Sequence, residues 1–146
     1  MLSFVCFAKI KFMEGNVESA FADRTFAKQF IKDSFGVFAD NPWAKFPDYE
    51  VFRHRENNKW FALVMSISSS KLGIGGNEKI DILNVKSNSF FKNSLIDNKK
   101  ILPPYHMKGD WITVVLNGTV PKSLVEELIE MSFELTRNKR TKKERV

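Results

Sequence analysis

Three strand-like segments follow one another in the middle of the chain with only short breaks between them. They span residues 50–55, 59–67 and 79–86, and the breaks are rich in asparagine or glycine. Parallel pairing needs a crossover of a dozen or more residues, whereas short turns join antiparallel neighbours. The spacing therefore favours an antiparallel sheet over a doubly wound parallel one.

Helical periodicity flanks these strands on both sides. Apolar residues predict one helix from residue 17 to about 38, ending near Gly36, and another after Pro121. SNSFFKNSLID at 87–97 predicts a short helix, and PPYHM and WITVVL, on either side of 108–110, predict a second hairpin. The expected fold is α+β, a single antiparallel five-stranded sheet with helices in the order α-β-β-β-α-β-β-α.

The chain has the length of one ordinary domain. Its 146 residues divide into an N-terminal extension at 1–16, a domain at 17–136 and a flexible basic tail at 137–146. Cys6 is the only cysteine, which suits a reducing cytoplasm, and no segment approaches the ~20 apolar residues that span a bilayer. We expect a cytoplasmic monomer without a membrane partner.

The formal net charge of +6 is unevenly distributed. The tail carries six basic residues and one acidic residue. Residues 45–108 carry eleven basic and six acidic residues, whereas residues 109–136 carry one basic and five acidic residues. A basic terminal tail is most often a solvated end. The excess in the middle is more informative because it coincides with the predicted strands.

Strand alternation suggests which side chains share a surface. If Asn57 and Asn58 form the turn, Phe52 lies opposite Leu63, His54 opposite Phe61, and Arg53 and Arg55 fall on the same side as Trp60. This arrangement predicts that an apolar face packs against the helices. That face comprises Phe52, Phe61, Leu63, Met65 and Ile67, with His54 at its edge.

The opposite face gathers basic and aromatic residues, provided that Asn84 and Lys86 of the third strand join it; the pattern leaves their side open. Basic groups attract phosphate and aromatic rings stack on bases, so this combination predicts nucleic-acid binding of low sequence specificity. Packing of the same aromatics, or a protein-interaction surface, is the alternative. The candidate nucleic-acid-binding residues are Arg53, Arg55, Lys59, Trp60, Asn84, Lys86, His106, Lys108 and Trp111.

Catalytic and metal-binding patterns are weak. The only histidines are His54 and His106, and neither has clustered carboxylates or thiols with ligand spacing. We expect His106 at a sheet edge, with its ring hydrogen-bonded locally. The sequence therefore predicts a non-enzymatic protein with no catalytic residues, no metal site and no cofactor.

Four segments resemble successive blocks of a known family. PWAKFPDYEVFRHRENNKWFALVM, DILNVK, PPYHMKGDWITVVLNGTVP and ELIEMSFEL occur in this order, within a similarity that covers about residues 17–136. They resemble the MmcQ/YjbR family of bacterial proteins. The resemblance implies a small α+β domain with a fold similar to type III secretion chaperones, and DNA binding without a defined target sequence.

Overall fold

The architecture follows the predicted order of elements. The computed structural model describes residues 20–137, so the N-terminal extension and all of the tail after Arg137 lie outside the described residues. A short 3₁₀ helix, Ser69–Leu72, follows the second strand. The elements are α1 Arg24–Phe35, β1 Glu50–Arg53, β2 Trp60–Ser68, β3 Lys79–Lys86, α2 Lys92–Leu95, β4 Ile101–Leu102, β5 Trp111–Val115 and α3 Lys122–Thr136.

The five strands form one antiparallel sheet in the order β1-β2-β3-β5-β4. Helices α1 and α3 pack on one face, where the main apolar cluster includes Ile31, Phe61, Val85 and Ile129. The α+β class and the single five-stranded sheet are therefore confirmed.

The first helix is shorter than predicted. Asp23 caps its start, because the side-chain Oδ1 accepts a hydrogen bond from the Phe26 amide at 2.9 Å. The preceding residues are extended, and the Ala22 amide donates to the Val120 carbonyl at 2.8 Å. The helix ends at Gly36 as predicted, since that residue adopts the left-handed conformation that glycine tolerates.

Two further boundaries differ from the prediction. Helix α2 has a single turn and begins only at Lys92. The Asn88 side chain accepts a hydrogen bond from the Phe90 amide, and this local turn takes the place of the first predicted helical residues. Strand β4 lies before PPYHM rather than within it, since a proline lacks the N–H that a strand ladder needs. Residues 103–110 form a loop within the second hairpin.

A β-bulge at the start of β2 changes the predicted faces. Phe52 pairs with Ala62 and the next residue, Arg53, pairs with Trp60, so Phe61 has no partner of its own. Both Phe61 and Ala62 consequently join the helix-side cluster. The predicted pairing of Phe52 with Leu63 is wrong.

The bulge sends the rest of β2 to the side opposite the one predicted. The helix-side placement of Leu63, Met65 and Ile67 is wrong: these residues form a second cluster with Val51 and Ile82 on the other face. The placements of Phe52 and Phe61 on the helix side are confirmed. A register shift of one residue reverses every later side chain, which explains the error.

Helix α3 satisfies two backbone polar groups of β2 and β3 at the level of the bulge. The buried Ser132 hydroxyl donates to the Phe61 carbonyl at 2.6 Å and accepts from the Lys86 amide at 2.9 Å. Buried backbone groups without partners are costly, so this one side chain supports both β2 and β3.

Replacing this hydroxyl should destabilise the protein. Ser132→Ala leaves the Phe61 carbonyl and the Lys86 amide without a partner, which we expect to lower the free energy of unfolding by about 1–3 kcal/mol in urea titrations. Ser123→Ala, at an exposed position of the same helix, is the matched control and should change it by less than about 0.5 kcal/mol. Equal effects of the two variants would contradict the role of Ser132.

Candidate functional site

Two loops cover the sheet face that lies away from the helices. The loop before β1 contributes Trp43 and Tyr49, and the loop before β5 contributes Tyr105 and Met107. These side chains pack on the second apolar cluster of the sheet. Most of the surface that the sequence predicted to be open is therefore enclosed by loops.

A small apolar pocket of about 270 Å³ lies between the two loops. Its floor is Leu63 and Met65 of β2. The lining residues are Trp43, Phe46, Tyr49, Trp60, Leu63, Met65, His106 and Met107. Aromatic rings thus form much of its wall, and we call it the aromatic pocket.

The rings of the aromatic pocket hold one another in fixed orientations. Trp43 meets Trp60 edge to face with centroids 5.7 Å apart, and Tyr49 stacks on Phe46 at 4.6 Å and 14°. Burial, together with nearby Tyr105 and Asp48, raises the pKa of Tyr49 above its usual value, so its hydroxyl is uncharged at neutral pH. Pairs of aromatic rings favour edge-to-face and offset-stacked geometries because the face of a ring carries partial negative charge and its edge partial positive charge.

Side-chain amides fix the two loops. Asn41 donates to the carbonyls of Pro47 and Tyr49, at 3.0 and 3.2 Å, which closes the first loop. Asn84 donates to the Tyr105 carbonyl at 3.1 Å and accepts from the Thr113 hydroxyl, anchoring the second loop.

Asn84 lies on the predicted face but not at its surface. Register pairs Asn84 with Leu63 and Thr113, so the third strand does present Asn84 and Lys86 on the side away from the helices. The Asn84 side chain is 0% exposed. It supports the loop over the sheet and is not accessible to a ligand in this structure.

Arg53 is on the predicted face, but its charge is already paired. Its guanidinium bonds Asp40 Oδ2 at 2.8 Å and lies 5.9 Å from the centroid of the Trp60 ring. Asp40 also exchanges backbone hydrogen bonds with Val51 at the free edge of β1. The Arg53 Nε is buried and has no partner within residues 20–137.

Arg55 does not share a sheet face with Arg53, so that part of the prediction is wrong. It lies beyond the end of β1, in the turn at 55–57. Its Nη2 approaches Gly36 so closely that a Cβ at Gly36 would lie 3.1 Å away. Arg55 therefore lies against the C-terminal end of α1.

Several basic residues nevertheless converge at one end of the sheet. In an antiparallel sheet, the end of β1, the start of β2, the end of β3 and the start of β5 lie together, and the Ser87 amide ties two of these segments by donating to the Asp110 carbonyl at 2.6 Å. We call this region the basic end. Four basic residues there make no ion pair within residues 20–137, and they are Arg55, Lys59, Lys86 and Lys108.

Both predicted tryptophans lie at the basic end and are half-buried. Trp60 begins β2 beside Lys59, and Trp111 begins β5 opposite Lys86. Three acidic residues are also present, Glu56, Asp110 and Glu134. Only Glu134 forms an ion pair there among the described residues, with Arg137 at 3.2 Å.

Two cations of α1 are neutralised where that helix meets the opposite end of the sheet. Arg24 bridges Glu50 and Asp81 at 3.0 and 3.1 Å, and Lys28 bonds Glu50 at 2.9 Å. Burial alone would raise the pKa of Glu50, but the hydrogen bonds from Lys28 and Arg24 outweigh it and hold that pKa below the usual value. This network joins α1 to the sheet and leaves little free charge on these residues.

Comparison with known proteins assigns the chain to a family. The family model described as YjbR matches residues 33–135. The uncharacterized protein YyaQ of Bacillus subtilis (strain 168) is 43% identical over 108 residues, which are 73% of this chain and 92% of that protein. The chain belongs to the YjbR family.

Solved structures support the same assignment. A crystal structure of a Pseudomonas syringae protein is 41% identical with a TM-score of 0.76, covering 79% of this chain and 99% of that one. The protein DR2400 of Deinococcus radiodurans, at 23% identity and a TM-score of 0.64, shares the fold over 88% of this chain and 89% of its own. The range matched to YjbR contains the aromatic pocket and all nine residues predicted from the sequence.

The two histidines of this YjbR domain lie on opposite faces of the sheet. His54 is 3% exposed and lies among Phe61 and Phe133 on the helix side, with its Nε2 2.8 Å from the Thr136 hydroxyl. His106 is exposed at the aromatic pocket. Within residues 20–137, no three His, Cys, Asp or Glu side chains are grouped as metal ligands.

His106 departs from its predicted setting. It lies in the loop before β5 rather than at a sheet edge, with φ 59°, and its ring stacks on Tyr105 at 4.1 Å. Within the described part of the chain its ring makes no hydrogen bond. The expectation of a local hydrogen bond is therefore wrong, and ring stacking takes its place.

Sequence reasoning missed the residues that close the aromatic pocket. Trp43, Phe46 and Tyr49 are not among the nine residues predicted from the sequence. Their aromatic spacing in NPWAKFPDY was the available signal.

None of the helices within residues 20–137 has the length and apolar character that a membrane span requires.

The buried His54 should make stability depend on pH. Burial lowers the pKa of His54 below its ordinary value of 6.5 and outweighs the opposing effect of Glu56. The unfolded chain therefore binds a proton more readily, so the free energy of unfolding should fall as pH drops below about 6.5 and level off below the folded pKa.

Urea unfolding at a series of pH values measures this effect. His54→Gln should flatten the dependence between about pH 7.5 and pH 5, a window that begins above the ordinary histidine pKa and extends below it. His106→Gln, at an exposed histidine, is the matched control and should retain it. A parental profile that is flat in this window would contradict the assignment.

Proposed function

We propose that the protein is a cytoplasmic nucleic-acid-binding domain that holds the phosphate backbone at its basic end, with low sequence specificity and without catalysis. The observation that carries the proposal is that four cations without an ion pair among residues 20–137 lie at one end of the sheet, three of them lysines close to Trp60 or Trp111 in sequence or register. Arg55, Lys59, Lys86 and Lys108 come from separate segments of the chain, and the sheet brings them to one end.

Ion pairing separates these residues from the arginines and the lysine that join α1 and the loop before β1 to the sheet. Arg24, Lys28 and Arg53 are each bonded to a carboxylate, so a phosphate would have to compete with an existing partner. Binding of a protein to nucleic acid is driven largely by the release of counterions from the phosphates, which occurs when free Lys and Arg side chains take their place. The exposed Lys59 and Lys108 are therefore the strongest candidates for phosphate contacts.

Binding without catalysis suits the chemistry around the candidate residues. A hydrolase would need an acid or base near its substrate, and His54 is buried on the helix side and bonded to Thr136. His106 faces apolar and aromatic side chains in the pocket that it lines. We propose a role in positioning nucleic acid for His106 and Trp111.

Salt dependence tests this proposal. Binding of duplex DNA should weaken steeply as salt rises, and replacing two phosphate contacts in Lys59→Gln/Lys108→Gln should reduce the slope of log K against log salt by about 2. Lys71→Gln/Lys99→Gln removes the same charge from exposed lysines at the other end of the sheet. This control should largely retain the slope.

Two results would contradict the proposal. One is the absence of binding to any nucleic acid at low salt. The other is an equal loss of slope in the two double variants, since that would mean that total charge rather than the basic end governs binding.

A protein-interaction role is the second candidate, and one observation favours it. Phe90 is 84% exposed and Phe91 51% exposed, and their rings meet edge to face at 5.3 Å just before α2. Exposed aromatic side chains that lie together are typical of interface anchors. The Lys92 ammonium bonds the Gly109 carbonyl, so this pair lies beside the basic end.

Single variants distinguish the two functions. If the domain acts through a protein partner, Phe90→Ser should abolish capture of that partner in pull-downs, while Lys59→Gln/Lys108→Gln should leave capture nearly intact. Phe38→Ser, at another strongly exposed phenylalanine, is the matched control. Capture that depends on the lysines and not on Phe90 would contradict a protein-interaction role.

A further inference from the structure

We infer that the aromatic pocket binds one unpaired base of a single-stranded nucleic acid whose phosphates lie at the basic end. This inference rests on the proposed function and extends it by assigning a strand preference to a defined cavity. Trp60 connects the two regions because it lines the pocket and begins the strand that follows Lys59.

The shape of the pocket suits a planar ring system. Its volume of about 270 Å³ is below the roughly 300–1,000 Å³ of sites that hold drug-sized molecules. Phe46 already stacks on Tyr49 through one face and is still 46% exposed. A base that stacks on the other face of Phe46 would continue an aromatic column that the fold has already built.

Charge selects a nucleic-acid base over other planar groups. Among residues 20–137 no carboxylate lines the pocket, and basic residues directly adjoin three of its lining positions: Lys45 beside Phe46, Lys59 beside Trp60 and Lys108 beside Met107. A cationic ligand would meet these charges, whereas the phosphates on either side of a base would be attracted to them.

Acidic residues near the pocket offset this charge only in part, and Asp48 directly adjoins the lining residue Tyr49. Asp40 is bonded to Arg53. Asp48 lines a neighbouring depression that it shares with Lys71 and Lys79. Three lysines adjoin the lining positions against this one aspartate, so the balance of charge beside the pocket is positive.

The pocket combines a rigid wall with an adjustable one. His106 is held at φ 59°, a conformation that costs a residue with a side chain about 1 kcal/mol, and the Tyr105 amide fixes it by bonding the Thr113 hydroxyl at 2.8 Å. Met65 and Met107 provide flexible thioether side chains on the other sides. Such a pocket can accept different bases, which agrees with low sequence specificity.

Three DNA ligands of equal length test the inference with the full chain. They are a single strand, the same strand with abasic sites throughout, and a duplex. We expect the intact strand to bind roughly tenfold more tightly than the abasic strand, because the abasic strand keeps the charge and lacks the stacking group. Quenching of tryptophan fluorescence should accompany binding of the intact strand only.

A phenylalanine substitution locates the effect. Phe46→Ala should weaken binding of the intact strand about tenfold and leave the duplex and abasic affinities unchanged. Phe38→Ala is the matched control, since Phe38 is 70% exposed and lies outside the aromatic pocket. It should bind all three ligands like the parent.

The outcomes separate failure of this inference from failure of the proposed function. Equal affinity for intact and abasic strands, with the salt dependence preserved, would overturn the pocket assignment alone. No binding of any of the three ligands would overturn both. Saturable binding of an uncharged tryptophan peptide that is lost in Phe46→Ala, with no effect of bases, would assign the pocket to a protein side chain and overturn the inference.

Discussion

The bulge at Phe61 and Ala62 determines which side chains face the helices and which face the loops. Two residues of β2 oppose Phe52 there, so the alternation of the strand is shifted by one position from Ala62 onward. Ser132 of α3 donates to the carbonyl of the bulged residue Phe61 and accepts from the Lys86 amide of β3, so the last helix contacts the central strands at the level of the bulge.

This register creates the aromatic pocket. Leu63 and Met65 project away from the helices, and a bare apolar sheet surface there would be unfavourable in water. The loops before β1 and β5 cover it, each held by an asparagine amide, Asn41 or Asn84. Their coverage is incomplete between Phe46 and Met107, and the remaining gap is the pocket.

The sequence predicted the elements well because each one depends on local periodicity. The fold class, the order of elements and the presence of both hairpins follow from apolar spacing and turn residues. The faces of β2 were mispredicted because neither the turn residues nor the apolar alternation reveals the extra residue at Phe61. The candidate site was affected in the same way: parity placed Asn84 on the correct side, but only tertiary contacts bury it and bring Trp43 over the sheet.

The paired and unpaired cations explain why net charge alone is a poor guide to this domain. Where α1 meets the sheet, Arg24 and Lys28 need carboxylate partners because their surroundings are partly buried. At the basic end Lys59, Lys86 and Lys108 make no ion pair among residues 20–137. Asn57, in the turn between β1 and β2, donates to the Thr136 carbonyl at 3.1 Å, so this turn contacts the end of α3. The tail of charge +5 follows directly after α3 and is therefore attached at the basic end. Whatever path the tail follows, its charges start from there and add to any attraction for phosphate without adding contacts that distinguish one base from another.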